Sequence, residues 1–135
     1  MAIAFATDYD SILEKIERID PIAYGNTRNY TDGAVTMLSP YISRGVISTK
    51  QVLQKIIDRG YLLAEIESFV KELCWRDYFQ RVAQHKDLNK DIRHAQNPVS
   101  NQGVPASIID ATTGITGVDD AIRRLYETGY MHNRL

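Results

Sequence analysis

The feature that most constrains the fold is a long helical pattern over residues 62–85. Apolar residues recur there near helical spacing, at Leu63, Ile66, Phe69, Val70, Leu73, Cys74 and Val82. Shorter patterns predict helices over about 8–18, 39–44, 48–58 and 118–128, and no convincing pair of strands is present. The sequence therefore predicts an all-α domain with its functional residues in loops and at helix ends.

Capping residues set the expected helix bounds. Thr7 or Asp8 suits the start of the first helix, and Asp20-Pro21 suits its end. Ser48 is a predicted N-cap, and Gly60 suits the stop of the same helix. Turn-forming residues predict a loop over 22–35, and residues 86–112 read as mostly irregular.

Composition is that of an ordinary globular domain, with 44% hydrophobic and 24% charged residues and a net charge of −1. Nucleic-acid binding would therefore need a local basic patch. No segment reads as a membrane span or a secretory signal. The single cysteine, Cys74, excludes an internal disulfide and fits the cytoplasm, and we interpret it as a packing residue.

Contact groups concentrate at the end of the chain. Thr113-Gly114 precedes the last predicted helix, and Thr128-Gly129 breaks it. Tyr130, His132, Asn133 and Arg134 follow at once, and they can stack, donate and accept. The alternative is a glycine-terminated helix whose cationic end suits the helix dipole.

Several motifs resemble the flavin-binding domain of the photolyase/cryptochrome family. They are Tyr24-x-x-x-Arg28, Thr36-Met37-Leu38-Ser39-Pro40-Tyr41, Gly45-Val46-Ile47-Ser48, Glu72-Leu73-x-Trp75-Arg76 and Thr128-Gly129-Tyr130-Met131-His132-Asn133-Arg134-Leu135. They occur in the family's order and span about Tyr24 to Leu135. The resemblance implies an all-helical FAD-binding domain related to DNA photolyase, a carbon–carbon lyase that repairs pyrimidine dimers with light. A cryptochrome-like sensor, or an all-α remnant without cofactor, is the alternative.

The resemblance implies FAD as the cofactor and assigns its contacts. These residues are Tyr24, Thr36, Met37, Leu38, Ser39, Glu72 and Asn133. Hydroxyl groups such as those of Thr36 and Ser39 can hold a diphosphate, but Ser39 alone also reads as a plain N-cap. The family often has Thr-Ser-x-Leu-Ser, so one hydroxyl is missing here.

The resemblance also implies damaged DNA as the partner. It assigns Glu72 and Trp75 to catalytic contact with the lesion and places Arg76 in the same pocket. Because residues 72 and 76 are one helical turn apart, the local alternative is a Glu72–Arg76 salt bridge beside a core tryptophan.

Three further residues match positions that contact DNA phosphates or the flavin. They are Arg28, Asn133 and Arg134. Each arginine suits a phosphate, and a solvated surface residue is the alternative for Arg28. His132 falls near the cofactor cavity by resemblance, whereas His85 and His94 read as surface residues. No metal-ligand spacing is visible.

Two departures from the family affect activity. The chain starts almost directly at the flavin-binding domain, without the α/β antenna domain, and stops where the family's domain continues. Trp75 is the only tryptophan, so these 135 residues hold no tryptophan relay. We therefore expect one partial domain over 1–135 that is incomplete for repair alone and that exposes apolar surface for homo-oligomerisation.

Overall fold

The structure, a computed structural model, describes residues 5–88, 90, 103–132 and 134. Seven helices occur in this part of the chain: α1 (Tyr9–Glu17), α2 (Pro21–Thr27), α3 (Ser39–Ser43), α4 (Thr49–Asp58), α5 (Leu63–His85), α6 (Ala106–Ile109) and α7 (Thr116–Thr128). The same residues contain no strand. The predicted all-α class is confirmed.

Helices α1 and α4 begin at the predicted caps. The Asp8 carboxylate accepts a 2.8 Å hydrogen bond from the backbone N–H of Ser11. Ser48 and Gln51 form a reciprocal capping box at the start of α4. Gly60 follows its end with φ +78°, a conformation that glycine adopts without strain.

Helix α2 occupies residues 22–27 of the segment predicted as a loop, so the prediction was wrong for that part. Asp20 is extended, and its Oδ1 accepts from the backbone N–H groups of Ile22 (3.0 Å) and Ala23 (2.9 Å). Pro21 occupies the first turn, where its missing N–H costs nothing. The Asp-Pro pair thus ends one helix and begins the next.

The core gathers around the first half of α5. Ile66 and Phe69 of this helix are buried, and α5 packs against α2 on one side and α4 on another. The other buried members of the cluster are Ile12, Ile16, Ile19, Leu38, Tyr41, Ile47, Val52 and Ile56. Burial of these side chains is the main stabilising contribution to the fold.

The last helix starts two residues earlier than predicted because a carboxylate caps the turn before it. Asp119 accepts from the backbone N–H (2.8 Å) and hydroxyl (2.6 Å) of Thr113 and from the N–H of Gly114 (3.3 Å). The Thr113 hydrogen bonds hold the pKa of Asp119 below its ordinary value. Gly129 ends the helix in the left-handed conformation, as expected.

Part of the region predicted as irregular lies outside the described residues, and its described part contains the short helix α6. None of the helices in the described ranges is long and apolar enough to cross a membrane.

Candidate functional site

A cavity of about 390 Å³ lies where α2, α3 and α5 meet. Helix α2 contributes Tyr24, and the segment entering α3 contributes Thr36, Leu38 and Ser39. The α5 side is formed by Phe69, Glu72, Leu73, Trp75, Arg76 and Phe79. Residues far apart in the sequence therefore form one cavity with aromatic walls and a few polar groups.

A smaller cavity of about 150 Å³ adjoins the first and shares Tyr24, Thr36 and Ser39 with it. It adds Arg28, Met37 and Tyr130 to the lining. Across both cavities the structure brings together nine of the eleven residues that the resemblance assigns as contacts to the flavin or to DNA. They are Tyr24, Arg28, Thr36, Met37, Leu38, Ser39, Glu72, Trp75 and Arg76.

The strip over residues 36–39 is held in a tight turn. Met37 has φ +53°, which non-glycine residues seldom adopt, and Thr36 Oγ1 accepts from the Leu38 N–H at 3.3 Å. Leu38 precedes α3 as its N-cap and is only 1% exposed. Ser39 is the first helical residue, so the alternative reading of Ser39 as the N-cap was wrong.

Glu72 pairs across the helix interface rather than along its own helix. Its Oε1 lies 3.2 Å from Nη2 of Arg28, whereas Arg76 donates from Nη2 to the hydroxyl of Ser43 at 2.8 Å. The local Glu72–Arg76 bridge was therefore not the arrangement adopted. Arg28 is also not a solvated surface arginine, because its side chain is only 25% exposed.

Tyr24 stands beside this ion pair and packs edge-on against Phe69, with 5.1 Å between the ring centroids. Burial is the main cause that raises the pKa of Tyr24. The negative charge of Glu72 raises it further, and the positive charge of Arg28 lowers it. The phenol therefore reports on both charges.

Trp75 is 52% exposed, so the reading of a core tryptophan was wrong. Its ring stacks on Phe79 with centroids 5.7 Å apart and 25° between the planes, and Tyr78 meets it edge-on. Phe69 and Phe79 also line the cavity, although none of the sequence motifs marked them as cavity residues. Their spacing of three and four residues from Glu72 and Trp75 was the available signal.

Arg76 brings a cation to the cavity wall. Its Nε is buried, and it finds no hydrogen-bond partner among the described residues. A buried donor without an acceptor is costly to the fold.

Only some of the last described residues line these cavities. Arg134 lines neither cavity but donates from Nε to Oδ1 of Asn29 at 3.1 Å. His132 is buried, and its Nδ1 accepts from the Arg134 N–H at 3.2 Å. Asn133 lies outside the described residues.

Cys74 is exposed, so its reading as a packing residue was wrong. It lies in a separate groove between α4 and α5 with Lys50, Asp77 and Arg81. Among the residues that the structure describes, no cluster of histidine, cysteine and carboxylate side chains could hold a metal ion.

The chemistry of the main cavity suits a flat aromatic ligand with an anionic part. Phe69, Trp75 and Phe79 offer aromatic surface, and Glu72 can accept from N–H groups. The hydroxyls of Thr36 and Ser39, with the Arg76 guanidinium, can donate to anionic oxygens.

Comparison with known proteins gives consistent matches. A family model described as the FAD binding domain of DNA photolyase matches residues 69–135. The deoxyribodipyrimidine photo-lyase of Alkalihalophilus pseudofirmus is 33% identical in an alignment of 103 residues that covers 73% of this chain and 22% of that protein. The photo-lyase of Vibrio cholerae is 27% identical over 146 residues, covering 97% of this chain and 31% of its own length.

An uncharacterized protein of Acanthamoeba polyphaga mimivirus is 30% identical over 101 residues, covering 70% of this chain and 74% of the viral protein. No solved structure gives a significant match. The chain spans 22% and 31% of the two bacterial photolyases named above.

Proposed function

Because the chain belongs to the DNA photolyase family through the FAD-binding domain, we propose that the cavity between α2, α3 and α5 binds FAD. The observation that carries this proposal is the convergence of Tyr24, Thr36, Ser39, Glu72 and Arg76 on one cavity. FAD is the cofactor that the family membership indicates. Residues 1–135 form one partial unit of such a domain under this proposal.

Each proposed flavin contact has a chemical reason. The hydroxyls of Thr36 and Ser39 donate to the diphosphate oxygens, and Tyr24 closes the same side of the cavity. Met37 and Leu38 hold the strip in its strained turn. Glu72 accepts from an N–H group of the ligand. Asn133 completes the proposed set by resemblance.

The residues present fit this cofactor. FAD combines a flat aromatic ring system with a diphosphate, and the cavity combines aromatic walls with hydroxyl and guanidinium donors.

We further propose that the domain acts on a pyrimidine dimer in DNA. Reduced FAD held in this cavity would supply the light-driven electron-transfer chemistry, and the residues of the chain would bind and orient the flavin and the lesion. Trp75 offers its exposed ring for stacking on the flipped-out lesion, and Glu72 and Arg76 hydrogen-bond its edge. Asn133 and Arg134 are the remaining proposed contacts to DNA, whereas the Arg28 guanidinium is already held by Ser68 and Glu72.

Flavin binding is the first test because the chain spans 22% and 31% of the two photolyases compared above. The purified chain is titrated with FAD and followed by absorption and by quenching of flavin fluorescence. We expect saturable binding that weakens about tenfold in Ser39→Ala, because a charge-assisted hydrogen bond is lost. The exposed Ser107→Ala on α6 is the matched control and keeps the wild-type affinity.

Damaged DNA is the second test. The FAD-loaded chain is mixed with an ultraviolet-irradiated oligothymidylate and with the same strand before irradiation. Preference for the irradiated strand supports the repair assignment. Bound FAD without that preference indicates a cryptochrome-like sensor, and no FAD binding at any concentration indicates a structural remnant.

We also propose self-association. Trp75, Tyr78 and Phe79 form an exposed aromatic cluster on α5, and large exposed apolar patches favour association. Sedimentation at rising concentration measures it. A clean monomer at high concentration would contradict this part of the proposal.

We place the protein in the cytoplasm. The free and exposed Cys74 suits a reducing compartment. Fractionation of cells that express the tagged chain tests this location, and enrichment in a membrane or secreted fraction would contradict it.

A further inference from the structure

We infer that Arg28 is a positioning residue that acts through Glu72, rather than a direct ligand of phosphate groups. Arg28 fixes the Glu72 carboxylate at the cavity wall, where it serves as an acceptor. That Glu72 accepts a hydrogen bond from the flavin or the lesion rests on the proposed function. The Arg28–Glu72 ion pair itself is present in the structure without any ligand.

Three contacts occupy the Arg28 guanidinium. Nη1 donates to the hydroxyl of Ser68 at 2.6 Å and to the carbonyl oxygen of Gly25 at 3.1 Å. Nη2 lies 3.2 Å from Oε1 of Glu72. The planar fork of donors is therefore bound on two sides by protein atoms and is poorly placed to swing toward an incoming phosphate.

The helix packing brings these partners together. A Cβ atom on Gly25 would lie 3.3 Å from Cβ of Ser68, so α2 and α5 approach closely at this point. Arg28 caps the C-terminal end of α2, one turn beyond Tyr24, and both residues face α5. The arginine therefore bridges the two helices beside the cavity.

This geometry leaves Glu72 with a defined role. A carboxylate has two oxygens, so an ion pair through Oε1 is compatible with acceptance through Oε2 from a ligand. Without Arg28, the half-exposed side chain would sample several rotamers and lose that preorganisation. The charged and titratable groups facing this point are Tyr24 on α2, Arg28 at its C-terminal end, Arg76 on α5 and Tyr130 after α7.

The first experiment needs no ligand. Tyrosines are replaced by 3-fluorotyrosine, and the Tyr24 signal, assigned with Tyr24→Phe, is titrated by fluorine NMR. If Arg28 is fixed beside Glu72, Arg28→Gln raises the Tyr24 midpoint because a nearby positive charge is lost. Glu72→Gln lowers the midpoint because a negative charge is lost.

Arg18→Gln is the matched control, since Arg18 forms an exposed pair with Glu14 on α1. It leaves the Tyr24 midpoint unchanged. An unchanged midpoint in a folded Arg28→Gln chain would overturn the inference. If Arg28→Gln does not fold, Arg28→Lys replaces it, and a smaller rise is expected because the ammonium lacks the fork of donors.

The second experiment is a double-mutant cycle on FAD affinity. Arg28→Gln and Glu72→Gln each weaken binding about tenfold, and the double variant is no weaker than Glu72→Gln alone. Additive losses would show direct contact by Arg28 and would overturn the inference. If the wild-type chain binds no FAD, the proposed function fails, and the fluorine titration still decides the placement of Arg28.

Discussion

The two halves of α5 have similar apolar content but different surroundings. In the first half, Ile66 and Phe69 are each only 2% exposed. In the second half, Trp75 is 52% and Phe79 is 60% exposed. Helices α2 and α4 cover the first half, and the described residues place no comparable layer on the second. An apolar pattern thus sets the helix, whereas neighbouring elements decide which of its residues are buried.

The difference also separates two tasks within one helix. The first half holds the domain together, and the second half lines the cavity with exposed aromatic rings that stack on one another. Glu72 lies between the two halves and is tied to α2 through Arg28. A rigid first half therefore gives the second half a fixed position without burying it.

The largest expected effect comes from replacing one phenylalanine by alanine in each half of α5 and comparing the losses of stability. Phe69→Ala should lower the free energy of unfolding by about 3–5 kcal/mol, because it opens a cavity in the core. Phe79→Ala should cost about 1 kcal/mol or less, since only exposed ring contacts with Trp75 and Tyr78 are lost. Urea unfolding followed by circular dichroism measures both, and equal losses would break the comparison.

Trp75→Ala is expected to separate binding from folding. Loss of the exposed ring should weaken binding to the irradiated oligothymidylate by about 1–3 kcal/mol, which is the usual contribution of one stacked base. FAD affinity and the melting temperature should stay close to those of the wild type. A joint loss of folding and flavin binding would show instead that Trp75 belongs to the core.

Ionisation of the Tyr24 phenol should make the stability of the fold depend on pH in the alkaline range. Its raised pKa means that the folded state holds the phenol proton more tightly than the unfolded state. The resulting stability is full below the ordinary pKa of 10.0 and is lost as pH rises through the folded value. Tyr24→Phe should flatten part of this alkaline decline, measured as melting temperature against pH.

Tyr78→Phe is the control for that measurement, because it removes a hydroxyl from the exposed half of α5. The alkaline decline should persist in this variant. Some decline also remains in Tyr24→Phe, since burial raises the pKa of Tyr130 as well. An identical decline in the wild type and Tyr24→Phe would contradict the prediction.

The smallest expected effect comes from the exposed Asp77–Arg81 pair on the second half of α5. Arg81 Nε lies 3.3 Å from Oδ2 of Asp77. Arg81→Gln should change the free energy of unfolding by less than about 0.5 kcal/mol, because solvent screens an exposed i,i+4 pair. Urea midpoints measured in low and high salt would check this. A larger change would show that the second half is less solvated than the structure indicates.

Local signals in the sequence were enough for much of the fold. Asp8, Ser48 and Gly60 marked helix ends because capping depends on a few adjacent residues. Helix α2 escaped prediction because Gly25 and Asn26 are turn formers in isolation. Tertiary packing on α5 and the double role of Asp20-Pro21 outweighed that preference.

The candidate site was likewise predicted only in part from the sequence. Motif resemblance named residues such as Tyr24, Thr36 and Arg76, and they do share one cavity. The partner of Glu72 could not be read from spacing, since Arg76 is near in sequence and Arg28 is near only after α2 packs on α5. The exposure of Trp75 and Cys74 likewise depends on which elements cover α5.

The close approach of α2 and α5 at Gly25 links the formation of α2 to the formation of the cavity. Helix α2 has seven residues, too few to persist alone, and Gly25 within it disfavours the helix by a further ~1 kcal/mol. We therefore expect α2 to form only as it packs onto α5. One wall of the cavity exists only while that docking lasts, so a ligand bound there slows hydrogen exchange of the α2 amides.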